Sequence, residues 1–96
     1  MDLARAIKDR QVISFTYNGL PRLVQPATYG RTRTGNLTLR GCQVGGTSQR
    51  NTVPCWELYT VAKMVDAQPT ETIFELFKLE GYTRGDSAFA LIEAEF

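Results

Sequence analysis

Arginine is the side chain whose type and spacing suggest chemistry in this sequence. Between Asp9 and Glu57 there is no acidic residue, and all six charged side chains of that stretch are arginines. A guanidinium group binds phosphate or carboxylate through two parallel N–H donors, whereas a lysine acts as a point charge. The pattern is therefore typical of anion recognition. The six residues are Arg10, Arg22, Arg31, Arg33, Arg40 and Arg50.

The net charge of +1 hides an uneven distribution. Residues 1–56 carry eight basic and two acidic side chains, whereas residues 57–96 carry three basic and eight acidic ones. In one interpretation, the first half forms a cationic surface that meets an anionic partner. In the other, the acidic second half folds back over the arginines and neutralises them.

Residue types needed for most enzymatic and metal chemistry are missing. The chain has no histidine, which excludes Ser-His-Asp and Cys-His catalysis, and two cysteines cannot form a four-ligand zinc site. We expect Cys42 and Cys55 to be free packed thiols, although neighbouring strands could also bring them together as a disulfide. The sequence therefore predicts no catalytic residue, no metal and no cofactor.

A turn and a strand are predicted to position part of the arginine cluster. Thr34-Gly35-Asn36 is a turn signal, and apolar and polar residues alternate over 37–42, which is the period of a half-buried strand. An anion is the natural ligand of the polar face, and the alternative is an ordinary solvated surface. Four candidate ligand-binding residues lie on this face or approach it: Arg31, Arg33, Thr38 and Arg40.

The remaining elements predict a mainly β fold in one domain, residues 1–96. Asp2 caps a short helix within residues 1–10, and residues 11–17 alternate as a strand that ends at the hairpin signal Asn18-Gly19. Four strands within roughly 35 residues are typical of a small, bent antiparallel barrel, which we predict over 11–65 with a last strand at 58–65.

Residues 66–96 are predicted to form a C-terminal extension. The spacing of Phe89, Ile92 and Phe96, after the capping residue Asp86, predicts a helix over 86–96. Residues 72–77 fit a short helix or a strand, and we favour the helix. The predicted fold is thus a small antiparallel barrel with a short N-terminal helix and a C-terminal helix.

Apolar runs are only a few residues long, far below the roughly 20 that a membrane-spanning helix needs. The amino terminus also lacks the apolar region of a signal peptide. We therefore expect a cytoplasmic protein without a membrane partner.

The first strand and its return resemble the WYL domain family. The family's pattern of an Ala-Ile pair followed by Tyr-x-Gly-x-x-Arg-x-Val-x-Pro is similar to Ala6-Ile7 and residues 17–26. The family's naming tripeptide falls on residues 37–39, where only Leu39 matches, and a later element resembles residues 56–61. An aromatic residue at Thr38 and an arginine at Thr60 would complete the pattern.

The resemblance implies an Sm-like or SH3-like barrel that senses a nucleic acid or nucleotide-like effector in an arginine-bearing groove. Members are usually fused to a DNA-reading winged helix and often act in transcription regulation, phage defence or CRISPR-linked control. The corresponding ligand contacts would come from Arg22, Thr38 and Arg40. No winged helix fits beside the barrel in these 96 residues, so we expect the domain to act alone, to self-associate or to serve a partner protein.

Two hypotheses for function follow. The first is a non-enzymatic regulatory module that binds single-stranded nucleic acid or a small nucleotide through its arginines, with Arg50 on the glycine-rich loop 45–52 as a further contact. The second is a structural or interaction module that dimerises or docks on a protein through the barrel edge.

Overall fold

The chain forms one short helix and six strands, and the structure, a computed structural model, describes residues 1–96. A short 3-10 turn, Val61–Lys63, joins the fourth strand to the fifth. No helix has the length and apolar character that crossing a membrane requires. The elements in chain order are α1 (Leu3–Lys8), β1 (Gln11–Tyr17), β2 (Leu20–Thr32), β3 (Leu37–Gly46), β4 (Cys55–Thr60), β5 (Val65–Ile73) and β6 (Phe89–Glu95).

Strand β2 organises the sheet because its 13 residues pair with three other strands. One of its edges pairs with β3, from Arg22 opposite Gly46 to Arg31 opposite Leu37. The other edge pairs first with β1, over residues 20–24, and then with β6, over residues 28–32. The strand order is β4-β3-β2-β1-β5, all pairs are antiparallel, and β4 does not pair with β5, so the sheet is open.

The N-terminal elements form as their local sequence predicts. The Asp2 carboxylate accepts a hydrogen bond from the Arg5 amide at 3.0 Å and caps α1. Three apolar side chains of α1 are buried. Strand β1 has the predicted bounds, and Asn18 and Gly19 turn the chain with φ values of 53° and 75°.

The predicted C-terminal helix over 86–96 is wrong, because Phe89–Glu95 forms strand β6. Strand β1 pairs with only the first half of β2 along this edge. Strand β6 pairs with the second half, from Thr28 opposite Glu95 to Thr32 opposite Phe89. Gly30 makes the close approach possible, since a Cβ atom there would collide with the Leu91 carbonyl oxygen. A tertiary contact thus overrides the helical spacing.

Two further predictions about the second half are corrected. The helix that we favoured over 72–77 does not form, because β5 continues to Ile73 and no helix follows it. The strand predicted over 58–65 ends at Thr60 and gives way to the 3-10 turn. Because β5 and β6 pair with β1 and β2, the sheet extends well beyond the predicted limit at residue 65.

The hydrophobic core lies on the inner face of the sheet, beneath α1. Eight buried side chains contact one another there, and the rings of Phe15 and Tyr59 meet edge to face with their centroids 4.9 Å apart. This cluster fixes the positions of β1 to β4. Its members are Leu3, Ala6, Ile7, Ile13, Phe15, Val24, Leu39 and Tyr59.

Residues 74–88, here called the C-terminal segment, cover the outer face of the sheet. Gln25, Cys42 and Trp56 form one row across β2, β3 and β4. The Gln25 amide donates to the Leu76 carbonyl at 3.1 Å and accepts from the Lys78 amide at 2.9 Å. The Trp56 indole donates to the Glu80 carbonyl at 2.8 Å. The face predicted to present Thr38 and Arg40 to a ligand is therefore largely covered.

Candidate anion-binding site

A polar pocket of about 380 Å³ opens beside the β1–β2 turn and the loop between β3 and β4. We call it the Arg22 pocket. Its volume lies within the range of small-molecule sites. Two arginines, one glutamate, three amide side chains and two apolar surfaces line it: Arg22, Arg50, Glu57, Asn18, Gln49, Asn51, Tyr17 and Leu58.

Arg22 forms the floor of this pocket and is fixed in place. Its side chain is only 3% exposed, and Nη1 donates to Glu57 Oε2 at 3.0 Å and to the Gln43 amide oxygen at 3.3 Å. Nη2 donates to the Tyr17 carbonyl at 3.1 Å. The guanidinium also lies 5.6 Å from the centre of the Tyr17 ring. Burial of this charge is tolerated because a carboxylate and two carbonyl oxygens surround it.

Glu57 connects Arg22 to the loop between β3 and β4. Its Oε2 accepts from Arg22, whereas Oε1 accepts from the Ser48 hydroxyl at 3.1 Å and from the Asn51 amide at 3.0 Å. The Glu57 carboxylate on β4 thus holds in place the loop that carries Arg50.

Gln43 completes the buried polar network under the pocket. Its amide nitrogen donates to the carbonyls of Gly45 and Thr47, and its amide oxygen accepts from the Tyr59 hydroxyl at 3.3 Å. Burial, together with the nearby Glu57 charge, raises the pKa of Tyr59 far above its usual value. Tyr59 is therefore a neutral hydrogen-bond donor at physiological pH.

Arg50 is the free cation of the site. It is exposed, lines the pocket, and makes neither an ion pair nor a side-chain hydrogen bond within the protein. With Arg22 and Glu57, it gives the pocket two positive charges against one negative charge. Leu58, which is 42% exposed, adds an apolar wall. The site can accept an anion that also has an apolar part.

A second pocket, of about 340 Å³, lies on the outer face of the sheet and contains Arg40. Arg40 Nε donates to the Asp86 carboxylate at 2.8 Å. Burial would raise the pKa of Asp86, but the hydrogen bonds from Arg40 and from the Ala88 amide outweigh it and leave the pKa below its usual value. This arginine is paired with an acid of the second half, as is Arg22.

The structure does not bring the six predicted site residues together. Arg22 and Arg50 share one pocket, whereas Arg40 lies on the opposite face of the sheet. Arg31 donates to the Gly35 carbonyl at 2.9 Å and Arg33 to the Ser87 carbonyl at 2.7 Å.

Thr38, the sixth predicted residue, lines neither of these pockets. It is buried, and its hydroxyl donates to the Asn36 carbonyl at 3.0 Å. It also lies directly opposite Thr60 on β4. Residues 38 and 60, two of the positions at which the sequence differs from the WYL pattern, therefore form one cross-strand pair.

Sequence reasoning missed the residues that hold Arg22, namely Gln43, Glu57 and Tyr59. The one signal that the sequence offers for Glu57 is its position as the first acidic residue after the stretch that contains the six arginines. The two cysteines are free and buried, and burial raises the pKa of both thiols.

No family model, curated protein or solved structure matches this chain.

Proposed function

We propose that this protein is a non-enzymatic ligand-sensing module that binds a nucleotide-like anion in the Arg22 pocket. The observation that carries the proposal is the pairing of a buried, fixed guanidinium with an exposed, unpartnered one in a single pocket of small-molecule size.

Charge and shape support this ligand class. Arg22 and Arg50 outnumber Glu57 and leave a net positive charge for the anionic group. Leu58, which is 42% exposed, offers surface to an apolar or aromatic part of the ligand. Asn18 and Gln49 line the rim with free amide groups that can donate and accept hydrogen bonds at a heterocycle edge.

These features fit a single nucleotide, or the terminal nucleotide of a strand, better than a continuous stretch of several nucleotides. Arg40 is paired with Asp86, and Arg31 and Arg33 bond to backbone carbonyls away from the pocket. A polymer would need a continuous row of cations along its backbone.

The proposal extends to family and fold. The Tyr-x-Gly-x-x-Arg-x-Val-x-Pro pattern over 17–26 supports membership of the WYL family, and Arg22 is the pattern residue that forms the pocket floor. The pairing of β2 with β1 and then with β6 along one edge supports an Sm-like or SH3-like barrel topology.

Calorimetric titration with adenosine 5′-monophosphate tests the proposal. Arg50→Ala should weaken binding by about 5- to 160-fold, because it removes a charge-assisted contact worth about 1–3 kcal/mol. Arg33→Ala is the matched control, since it removes an exposed arginine outside the pocket. Equal losses in the two variants, or no binding by the wild-type protein, would reject the proposal.

Self-association through β6 is a second candidate function. β6 pairs only with β2, so its other edge is open, and Leu91 on it is 54% exposed. Light scattering after gel filtration should then show a dimer that Leu91→Lys dissociates and that added nucleotide does not affect. A monomer at every accessible concentration would exclude this function.

A further inference from the structure

We propose that Glu57 occupies the position of a ligand's anionic group, and that this makes the Arg22 pocket selective for phosphate monoesters over singly charged anions. This inference rests on the proposed function, because it concerns the ligand of the same pocket.

The carboxylate of Glu57 blocks direct access to Arg22. Glu57 and Arg22 both line the pocket, and Glu57 Oε2 lies 3.0 Å from Arg22 Nη1. The rest of the guanidinium is hardly accessible, since the side chain is only 3% exposed, Nη2 bonds to the Tyr17 carbonyl and Nε is fully buried. An anion that enters the pocket therefore reaches Arg22 only by taking the place of Glu57.

Glu57 is able to leave Arg22 without losing its other partners. Its side chain is 19% exposed, and Oε1 is bonded to Ser48 and Asn51, both on the loop between β3 and β4. The loop also carries Arg50. Movement of Glu57 away from Arg22 therefore keeps two hydrogen bonds and involves the segment that supplies the second guanidinium.

Exchange of one anion for another sets the selectivity. A singly charged ligand gains little when it replaces a carboxylate on Arg22, because one negative charge is exchanged for another. A phosphate monoester carries a charge of about −1.5 to −2 at pH 7 and three acceptor oxygens. It can therefore bind Arg22 and Arg50 together and gain more than the exchange costs.

Titrations with two nucleotides of different charge test this inference at pH 7. In the wild-type protein, adenosine 5′-monophosphate should bind at least about tenfold more tightly than the cyclic 3′,5′ diester, which has a single negative charge. Glu57→Gln keeps an oxygen that accepts from Arg22 but removes the competing charge. It should strengthen binding of the cyclic diester by about tenfold and reduce the ratio between the two ligands.

Asp86→Asn is the matched control, because it makes the same change in the other partly buried arginine–carboxylate pair. It should leave both affinities unchanged. If Glu57→Gln instead weakens both ligands, Glu57 positions the site and the inference is overturned, while monophosphate binding by the wild-type protein still supports the proposed function. Absence of binding by the wild-type protein would overturn both.

A measurement on the wild-type protein removes any dependence on the stability of the variant. The carboxyl ¹³C resonance of Glu57 should shift when adenosine 5′-monophosphate is added, because Glu57 leaves Arg22, and should remain in place with adenosine. The Asp86 resonance should not move with either compound. A Glu57 carboxyl resonance that does not shift when adenosine 5′-monophosphate is added would contradict the inference.

Discussion

At the scale of single residues, two arginine–carboxylate pairs dominate the electrostatics of the molecule. Arg22 and Glu57 are 3% and 19% exposed, and Arg40 and Asp86 are 29% and 12% exposed. Removing one partner of a buried pair leaves an uncompensated charge and costs more than the pair contributes. The two pairs therefore constrain the fold as well as any ligand site.

Arg22→Ala should destabilise the protein by about 3 kcal/mol, because Glu57 and Gln43 lose their shared partner in the interior. Urea unfolding measures this change. Arg50→Ala is the control and should change stability by less than about 0.5 kcal/mol, since Arg50 is exposed and unbonded. Equal stability of the two variants would contradict the assigned role of Arg22.

The Arg40–Asp86 pair should make stability depend on pH in the acid range. Because the pKa of Asp86 is lower in the folded state, its contribution is present above the unfolded value of about 3.9. It is lost as the pH falls through the folded-state pKa. The difference in unfolding free energy between wild type and Asp86→Asn, measured in urea, should be constant near neutral pH and shrink below about pH 4. A difference in unfolding free energy that grows as the pH falls would contradict a lowered pKa of Asp86 in the folded state.

At the scale of elements, Gln25 holds the C-terminal segment on the sheet. Its buried side chain bonds to the backbone of Leu76 and Lys78, in a part of the chain without helix or strand. The rings of Phe77 and Phe96, with centroids 4.6 Å apart, add apolar contacts beneath that segment. A single amide therefore supplies hydrogen bonds that a regular element would otherwise provide.

Gln25→Leu should loosen the C-terminal segment without unfolding the sheet. Hydrogen exchange of the Lys78 amide should accelerate about tenfold or more, since a lost hydrogen bond of about 1.4 kcal/mol corresponds to that factor. The amides of Ile13 and Val24, which lie in paired central strands, serve as internal controls. Unchanged exchange at Lys78 would show that the Gln25 hydrogen bonds are not needed to hold the C-terminal segment on the sheet.

Elements with local signals were predictable, and those set by distant partners were not. The cap at Asp2, the bounds of β1 and the Asn18-Gly19 turn depend on residues adjacent in sequence. The spacing of Phe89, Ile92 and Phe96 suits a helix. Residues 89–95 instead form a strand, because they pair with an edge of β2 that lies about sixty residues earlier in the sequence. Likewise, the sequence marks Arg22 as a candidate, but no local signal identifies its partner Glu57, 35 residues away.

At the scale of the whole molecule, the two halves of opposite charge fold against each other only in part. Glu57 and Asp86 come from the acidic half and neutralise two of the six arginines, as one of the two interpretations of the sequence expected. The convergence of all six on one side, which the other interpretation required, does not occur. The remaining cationic charge is dispersed over the surface.

This dispersion predicts a weak dependence of nucleic-acid binding on salt. On a single strand the slope of log affinity against log salt is about −0.7 for each phosphate contact, so two guanidinium groups give no more than about −1.4. Fluorescence anisotropy with a labelled 5′-phosphorylated oligonucleotide at several salt concentrations measures the slope. A much steeper slope would show that a larger cationic surface, including Arg31 and Arg33, engages the strand.

The most direct test of the central claim is a two-dimensional ¹⁵N–¹H titration of the protein with adenosine 5′-monophosphate. Binding in the Arg22 pocket predicts saturable shifts at residues 17–18, 49–51 and 57–58, which line that pocket. Shifts confined to residues 81–87 would assign the ligand to the Arg40 pocket instead. That result, or an unchanged spectrum, would contradict the account.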